Sequence, residues 1–381
     1  MRLLTTKYGS SVVLILLLSC VEPYNPKVDN RDLNLLVVDA FLNAATDSAT
    51  VALTRTLPVE SDEIVPNETG AFVRIEDDQG SVYQLQEKGG GIYSGRVDGV
   101  TSSRQYRVRI TAGGDDYASD LVTVAQTPPI DSITYEFLPD GVQFYVTTHD
   151  PTNQSRYYRW EYDETFEYNS EFFSYYMFQG DVIVPRPAEL TRHTCWKSDY
   201  STDILVGTTK HLKESVINKF PIAFIPNGSI KLTVEYSILL RQQAITEAAY
   251  EYWSRLRKTT EQVGGLFDPL PSEVPGNIHS ISDPGENVLG FFSIGSVQQM
   301  RKFVRRSELP RDAIRRFLAH DASCVLDTIK IEDIPNYSKS AWLVDAIFSP
   351  GGFISGYTTA VTRCIDCTLR GGATAKPDFW K

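Results

Sequence analysis

The 381-residue chain lacks any apolar run long enough to cross a bilayer. A spanning helix needs about 20 apolar residues, whereas the longest run, at residues 12–18, stops at Ser19 and Cys20 and is followed by Pro23 and Pro26. Histidine is scarce. Its five copies (His149, His193, His211, His279, His320) stand singly, with no H-E-x-x-H and no second C-x-x-C, which argues against zinc. A basic excess is missing too: 37 Lys and Arg against 48 Asp and Glu leave a net charge of −11, and a nucleic-acid partner would demand a basic face.

Catalytic signatures are equally sparse. There is no Walker loop and no dinucleotide fingerprint after a strand, and Gly290-Phe-Phe-Ser293-Ile-Gly295 misplaces the first glycine of a nucleophile elbow. Gly89-Gly90-Gly91 is followed by neither a Lys-Ser/Thr pair nor a helix, and reads as a tight turn. Asp77-Asp78-Gln79-Gly80 and Gly113-Gly114-Asp115-Asp116 lack the spacing of a calcium loop and read as hairpin turns. Asp163 with Glu164 or Glu167 can be named as a glycosidase-like pair, but nothing in the sequence sets their separation. Asp366, between two cysteines, reads as a turn residue. No catalytic residue, metal or cofactor is assigned.

What is present begins with a secretory leader. Arg2 and Lys7 precede the apolar run, and Leu17-Leu18-Ser19-Cys20 resembles a bacterial lipobox, after which cleavage leaves an acylated cysteine at the mature N-terminus. Residues 1–19 are therefore the signal peptide, Cys20 is the lipid attachment site, and residues 20–33 form a proline-rich, charged spacer. Two or more acyl chains make such a tether effectively permanent. Four cysteines remain: Cys195, Cys324, Cys364 and Cys367. An even number in an exported chain reads as disulfides, with three pairings open. Cys364-Ile-Asp-Cys367 opens no thioredoxin-like helix, so a structural role is expected rather than a redox one.

Period-two alternation dominates the folded part. Residues 35–38 and 49–53 read as buried strands, and Val73 and Ile75 alternate with Phe72, Arg74 and Glu76 before a turn and a return strand. Residues 106–110 place Arg107 and Arg109 outward, and Tyr106 is placed to serve as a tyrosine corner. The fold expected is mainly β, with an immunoglobulin- or fibronectin-like sandwich over 34–126. Thr127-Pro128-Pro129 then marks a boundary. A larger β-rich domain follows over 130–381. Within it, Ile245, Ala249, Tyr252, Leu256 and Val263 predict one substantial helix near 245–263. Residues 264–293, with four prolines and five glycines, predict a long ordered loop without regular elements. A short helix is expected near 310–320 and a late element at 342–348, and the closing Phe379-Trp380 is expected to dock.

Residues 157–178 hold eleven aromatics in 22 positions. The leading reading is a wide β-core. The first alternative is a binding platform built from Tyr158, Trp160, Tyr162, Phe172, Phe173, Tyr175 and Tyr176, since aromatics are enriched at interfaces. The second is a membrane-facing girdle, although barrel strands should recur along the whole chain.

Taken together, the lipobox with Glu22-Pro23, Ala249-Tyr250-Glu251-Tyr252-Trp253, Leu266-Phe267-Asp268-Pro269, Gly276-Asn277-Ile278, Val288-Leu289-Gly290-Phe291-Phe292 and the ending Cys364-x-x-Cys367, Gly371-Gly372 and Lys376-Pro377-Asp378-Phe379-Trp380 resemble the domain-of-unknown-function 4249 family of Bacteroidota lipoproteins. The resemblance spans nearly the whole chain. It implies a lipid-anchored outer-membrane protein, cell-surface-exposed or else periplasm-facing, whose partners are outer-membrane lipid through acylated Cys20 and a TonB-dependent β-barrel transporter. It carries no catalytic residues. The function expected is a non-enzymatic accessory or substrate-capture partner of that transporter. The alternatives are a structural or adhesive surface protein or an outer-membrane assembly accessory, and, third, a carbohydrate- or peptide-active hydrolase.

Overall fold

The computed structural model describes residues 34–57, 64–261, 274–317, 323–336 and 342–380; Cys20, its leader and residues 266–269 lie outside them. The described chain is mainly β, as expected, with several sheets and one long helix.

Alternation builds the first sandwich. In the strand Leu36–Asn43, Leu36, Val38, Ala40 and Leu42 are buried, so every second residue faces one core. This strand pairs with Ser48–Arg55, which continues to Ile92–Arg96 and Gln86–Gly89. The facing sheet centres on Gln105–Ala112, whose Tyr106, Val108, Ile110 and Ala112 enter the same core. Arg107 points outward to Glu76 at 2.7 Å. The Tyr106 hydroxyl accepts the Thr101 N–H at 3.0 Å, the back-bond of a tyrosine corner.

The expected division at 126 misses part of this sandwich. Ile278–Ser280 pairs antiparallel with Asp115–Ser119, and Leu289–Gly295 pairs parallel with Leu36–Asn43, so residues from the far side of the boundary complete both sheets. These two strands also correct the expectation of an ordered loop without regular elements over 264–293. The glycines counted there against regular structure are what admit it. A Cβ at Gly290, where φ is +117°, would sit 1.8 Å from the Val38 carbonyl oxygen, and one at Gly276 would sit 1.6 Å from that of Gly290. Asn277, only 6% exposed, donates to the Phe292 carbonyl at 2.9 Å and accepts the Phe292 N–H at 2.8 Å. Its amide thus occupies backbone groups at the outer edge of the inserted strand.

The second sandwich packs Ile130–Phe137, Gly141–Asp150 and Ser215–Pro226 against a sheet of Thr194–Tyr200, Tyr157–Asn169, Glu235–Ala244 and Val297–Arg305. Trp160 lies at its centre, stacked on Phe220 with centroids 4.5 Å apart, and its indole N–H donates to Gln242 at 2.9 Å. Gln242 in turn donates to the Pro128 carbonyl at 2.8 Å, tying the prolines of the crossing to the core. The Thr127 hydroxyl accepts the Ala244 N–H at 2.8 Å and the Thr127 N–H donates to the Ser296 hydroxyl at 2.9 Å, so the two passages between the sandwiches run side by side.

The helix Glu247–Glu261 lies against both sandwiches. Tyr252 meets Phe291 of the inserted strand at 5.1 Å, while Tyr250 meets Tyr157 at 5.2 Å and Trp253 lies 3.9 Å beneath the Arg159 guanidinium. Farther on, Arg311–Arg316 is the short helix expected. A last sheet of Asp327–Lys330, Ile354–Ala360 and Trp342–Phe348 packs on the hairpin Tyr176–Gln179 and Val182–Pro185 through a small core of Ile329, Leu343 and Tyr357.

Replacing Asn277 with alanine removes both bonds to Phe292 and should destabilise the protein by roughly 2 kcal/mol. Urea unfolding of the mature chain reads this directly. No change in the midpoint would mean that packing alone holds the inserted strand.

Candidate functional site

The aromatic segment divides at Ser170. In Tyr157–Asn169 the even-numbered side chains face the second core, where Tyr158, Trp160, Phe166 and Tyr168 are buried. Tyr158 and Trp160 are therefore corrected from platform candidates to core, because the facing strands Gly141–Asp150 and Ser215–Pro226 cover that side of the sheet. Tyr162, on the same side, is half-buried, and burial with Glu164 nearby pushes its hydroxyl up to about 12.

Beyond Ser170 the chain joins the C-terminal block, made of the last sheet and the hairpin of Tyr176–Gln179 and Val182–Pro185 with the segments that flank them, and alternation there has the opposite outcome for some rings. Phe172 packs with Trp342, Val344, Ala360 and Cys364, and Tyr176 meets Tyr357 at 5.3 Å. Phe173 and Tyr175 face solvent, 38% and 54% exposed, with ring centroids 4.7 Å apart. The edge of Phe173 meets His193 at 5.2 Å. Burial pushes the His193 imidazole below the ordinary histidine value, and its Nδ1 lies 2.8 Å from the Ser170 hydroxyl. Two backbone bonds set the direction of this stretch: Phe172 N–H to the Cys364 carbonyl at 2.9 Å, and Tyr175 N–H to the Val344 carbonyl at 2.8 Å.

All four remaining cysteines are bonded. Cys195 joins Cys367 and Cys324 joins Cys364, across 172 and 40 residues. The C-x-x-C cysteines thus serve two different bridges, and between them Asp366 accepts the Thr368 N–H at 3.0 Å as a turn residue. Cys195–Cys367 fastens the C-terminal block to the second sandwich, and the Tyr168 hydroxyl donates to the Cys367 carbonyl at 2.8 Å beside it. The tail docks as expected. Trp380 donates to Glu167 at 3.2 Å, and Phe379 lies 3.7 Å from the Arg301 guanidinium.

The carboxylates named for hydrolysis do not converge. Neighbours on a strand point to opposite faces, so Asp163 meets Arg241 on the outer side while Glu164 accepts from Lys231 and Tyr236 on the inner one, and Glu167, on the Asp163 face but four residues along the strand or roughly 13 Å away, accepts from Trp380. Among the described residues, no three His, Cys, Asp or Glu side chains gather in a metal-holding group. Two open recesses of about 560 Å³ each flank the junction. Their charged groups are already engaged, His279 with Asp120 at 3.2 Å, Glu286 with Tyr117 at 3.0 Å, and Glu247 with Lys210. What the C-terminal block offers is stacking and apolar burial. Among the described residues, nearly half of the exposed large apolar side chains lie on it, including Val182, Phe348 and Phe353. Phe348 and Phe353 escaped sequence reasoning, although the uncharged stretch 346–362 around them was a readable signal.

The family described as "Domain of unknown function (DUF4249)" matches residues 21–301, which take in Phe173, Tyr175 and the hairpin that follows them and end before the last sheet. No curated protein matches the chain. Among solved structures, a two-fibronectin type-III domain segment of chicken tenascin is similar at 10% identity and a TM-score of 0.18, covering 71% of this chain and 99% of its own. The adhesin InvE of Yersinia pseudotuberculosis is similar at 9% identity and a TM-score of 0.16, covering 87% of this chain and 74% of its own.

Trp160→Ala should lower stability by about 3–5 kcal/mol, whereas Tyr175→Ala should stay within about 0.5 kcal/mol; thermal unfolding of both variants checks the division at Ser170. His193 gives a pH test. Its folded value lies below the unfolded one of about 6.5, so the unfolded chain binds the proton first and stability declines as pH falls from there toward the folded value. His193→Gln should flatten the fall in melting temperature between pH 7 and 5, and an unchanged slope would exclude this histidine.

Proposed function

This chain belongs to the DUF4249 family, and on that premise we propose that it is a non-enzymatic, lipid-anchored outer-membrane protein that acts as accessory or substrate-capture partner of a TonB-dependent transporter. The observation that carries the reading is the exposed pair Phe173 and Tyr175 on a disulfide-fastened block. Rigid aromatics supply large contact area at little entropic cost, and they dominate binding hot spots. A ring pair held by backbone bonds on both sides is ordered before its partner arrives, which avoids much of the ordering penalty of association.

The tether at Cys20 completes the mechanism. Acylation confines the body to the plane of the transporter, so a modest interface is enough once the second contact becomes effectively intramolecular. The body is placed at the cell surface, with the periplasmic face as the alternative. Carboxylates dispersed over two faces and already paired with cationic or hydroxyl groups weigh against a hydrolase.

Isolation in mild detergent should bring a β-barrel transporter with the protein. Phe173→Ala with Tyr175→Ala should weaken that association at least tenfold, from about 2 kcal/mol for a single hot spot, at unchanged melting temperature. A wild-type preparation free of any barrel at every salt concentration would end the proposal. Deletion that depletes outer-membrane proteins generally, instead of impairing one uptake, would favour the assembly role.

A further inference from the structure

We infer that the turn joining Trp342–Phe348 to Ile354–Ala360 seats its two phenylalanines in the interfacial layer of a phospholipid surface. The inference takes its setting from the tethered reading above, and its chemistry from the hairpin alone. Phe348 and Phe353 flank the turn at 60% and 78% exposure. Residues 346–362 carry no charge, in a chain of which 22% is charged. Charge enters only behind the tip, where Lys330 stands opposite Gly356 and pairs with Glu332 at 3.4 Å; the turn itself carries none.

The backbone is prepared for a medium without water. Ser349 N–H donates to the Phe353 carbonyl at 2.8 Å and Gly352 N–H to the Ser349 carbonyl at 2.9 Å, with Phe348 opposite Ile354 in the ladder. Gly352, at φ +81°, makes the tight return. Polar groups left unpaired in hydrocarbon are what keep open loops out of membranes, and here the turn satisfies several of its own. The strands behind it are anchored through Leu343 and Tyr357 in the small core, so the tip is presented rigidly.

Size favours lipid over a protein partner. A specific protein interface buries about 800 Å² on each side, more than a convex tip with two phenylalanine rings of about 150–250 Å² supplies. Shallow insertion of an apolar tip needs no such area when a lipid anchor already holds the protein at the surface. The hairpin then orients the body against the bilayer.

The test uses the full mature chain carrying Cys20→Ser, so that no acyl chain contributes, with vesicles of phosphatidylethanolamine and phosphatidylglycerol. The chain should co-sediment with them, and Phe348→Ser with Phe353→Ser should cut the bound fraction at least fivefold at unchanged melting temperature. A Phe353→Trp reporter should shift to the blue and be quenched by brominated acyl chains. Absent binding, or equal binding by the double serine variant, overturns the inference; so does a double variant whose only effect is to dissolve a dimer, which would make a second copy the occupant. Mass spectrometry of native Cys20 reports on the tether separately, since an unmodified terminus removes that reading and leaves the vesicle result standing.

Discussion

The parallel pairing of Leu289–Gly295 with Leu36–Asn43 is the contact on which the rest of the architecture depends. It covers one edge of the first strand, delivers Phe292 and Ile294 to the first core, and sets Phe291 against the helix. The next residues then start Val297–Arg305 beside Glu235–Ala244 in the other sandwich. Through this one insertion, two sandwiches that read as separate domains share strands. It also constrains folding, because until residue 295 is synthesised the edge of Leu36–Asn43 has no partner, and closing so distant a contact is slow. An unpaired edge is an aggregation hazard, which gives physical weight to Gly276, Asn277 and Gly290 at the seam.

A second dependence governs the C-terminal block. Its sheet has three strands and a core of a few residues, near the lower limit for independent stability. The Cys195–Cys367 disulfide and the docked tail connect it to a larger neighbour, while Cys324–Cys364 closes a loop within the block. Such bridges persist in an oxidising compartment, in keeping with the leader read at residues 1–19. The block therefore displays apolar side chains that a free three-stranded sheet would struggle to hold in place.

Much of this was legible in advance. Tyr106 announced its corner by entering a strand of strict alternation, Thr127-Pro128-Pro129 marked a real crossing between sandwiches, and the helix needed only its 3.6-residue stripe. The inserted strand was not legible, since glycine and proline counts over 264–293 argued against regular structure while its partner lay at the other end of the chain. The four cysteines left three pairings open, and each cysteine of the C-x-x-C found a remote partner instead of the other. Tyr158 and Phe173 illustrate the same limit at the candidate site: both are aromatic, both alternate, and one is core while the other is surface.

The amino-acid sequence by itself determined the strand periods, the tyrosine corner and the helix, all of which are set by residues within a few positions of one another. Tertiary structure alone decided which strands are neighbours, which sulfurs meet, and which aromatic face is covered. The reason is physical: local periodicity defines two faces of a strand, but burial of either face depends on another surface, brought there by a distant part of the chain.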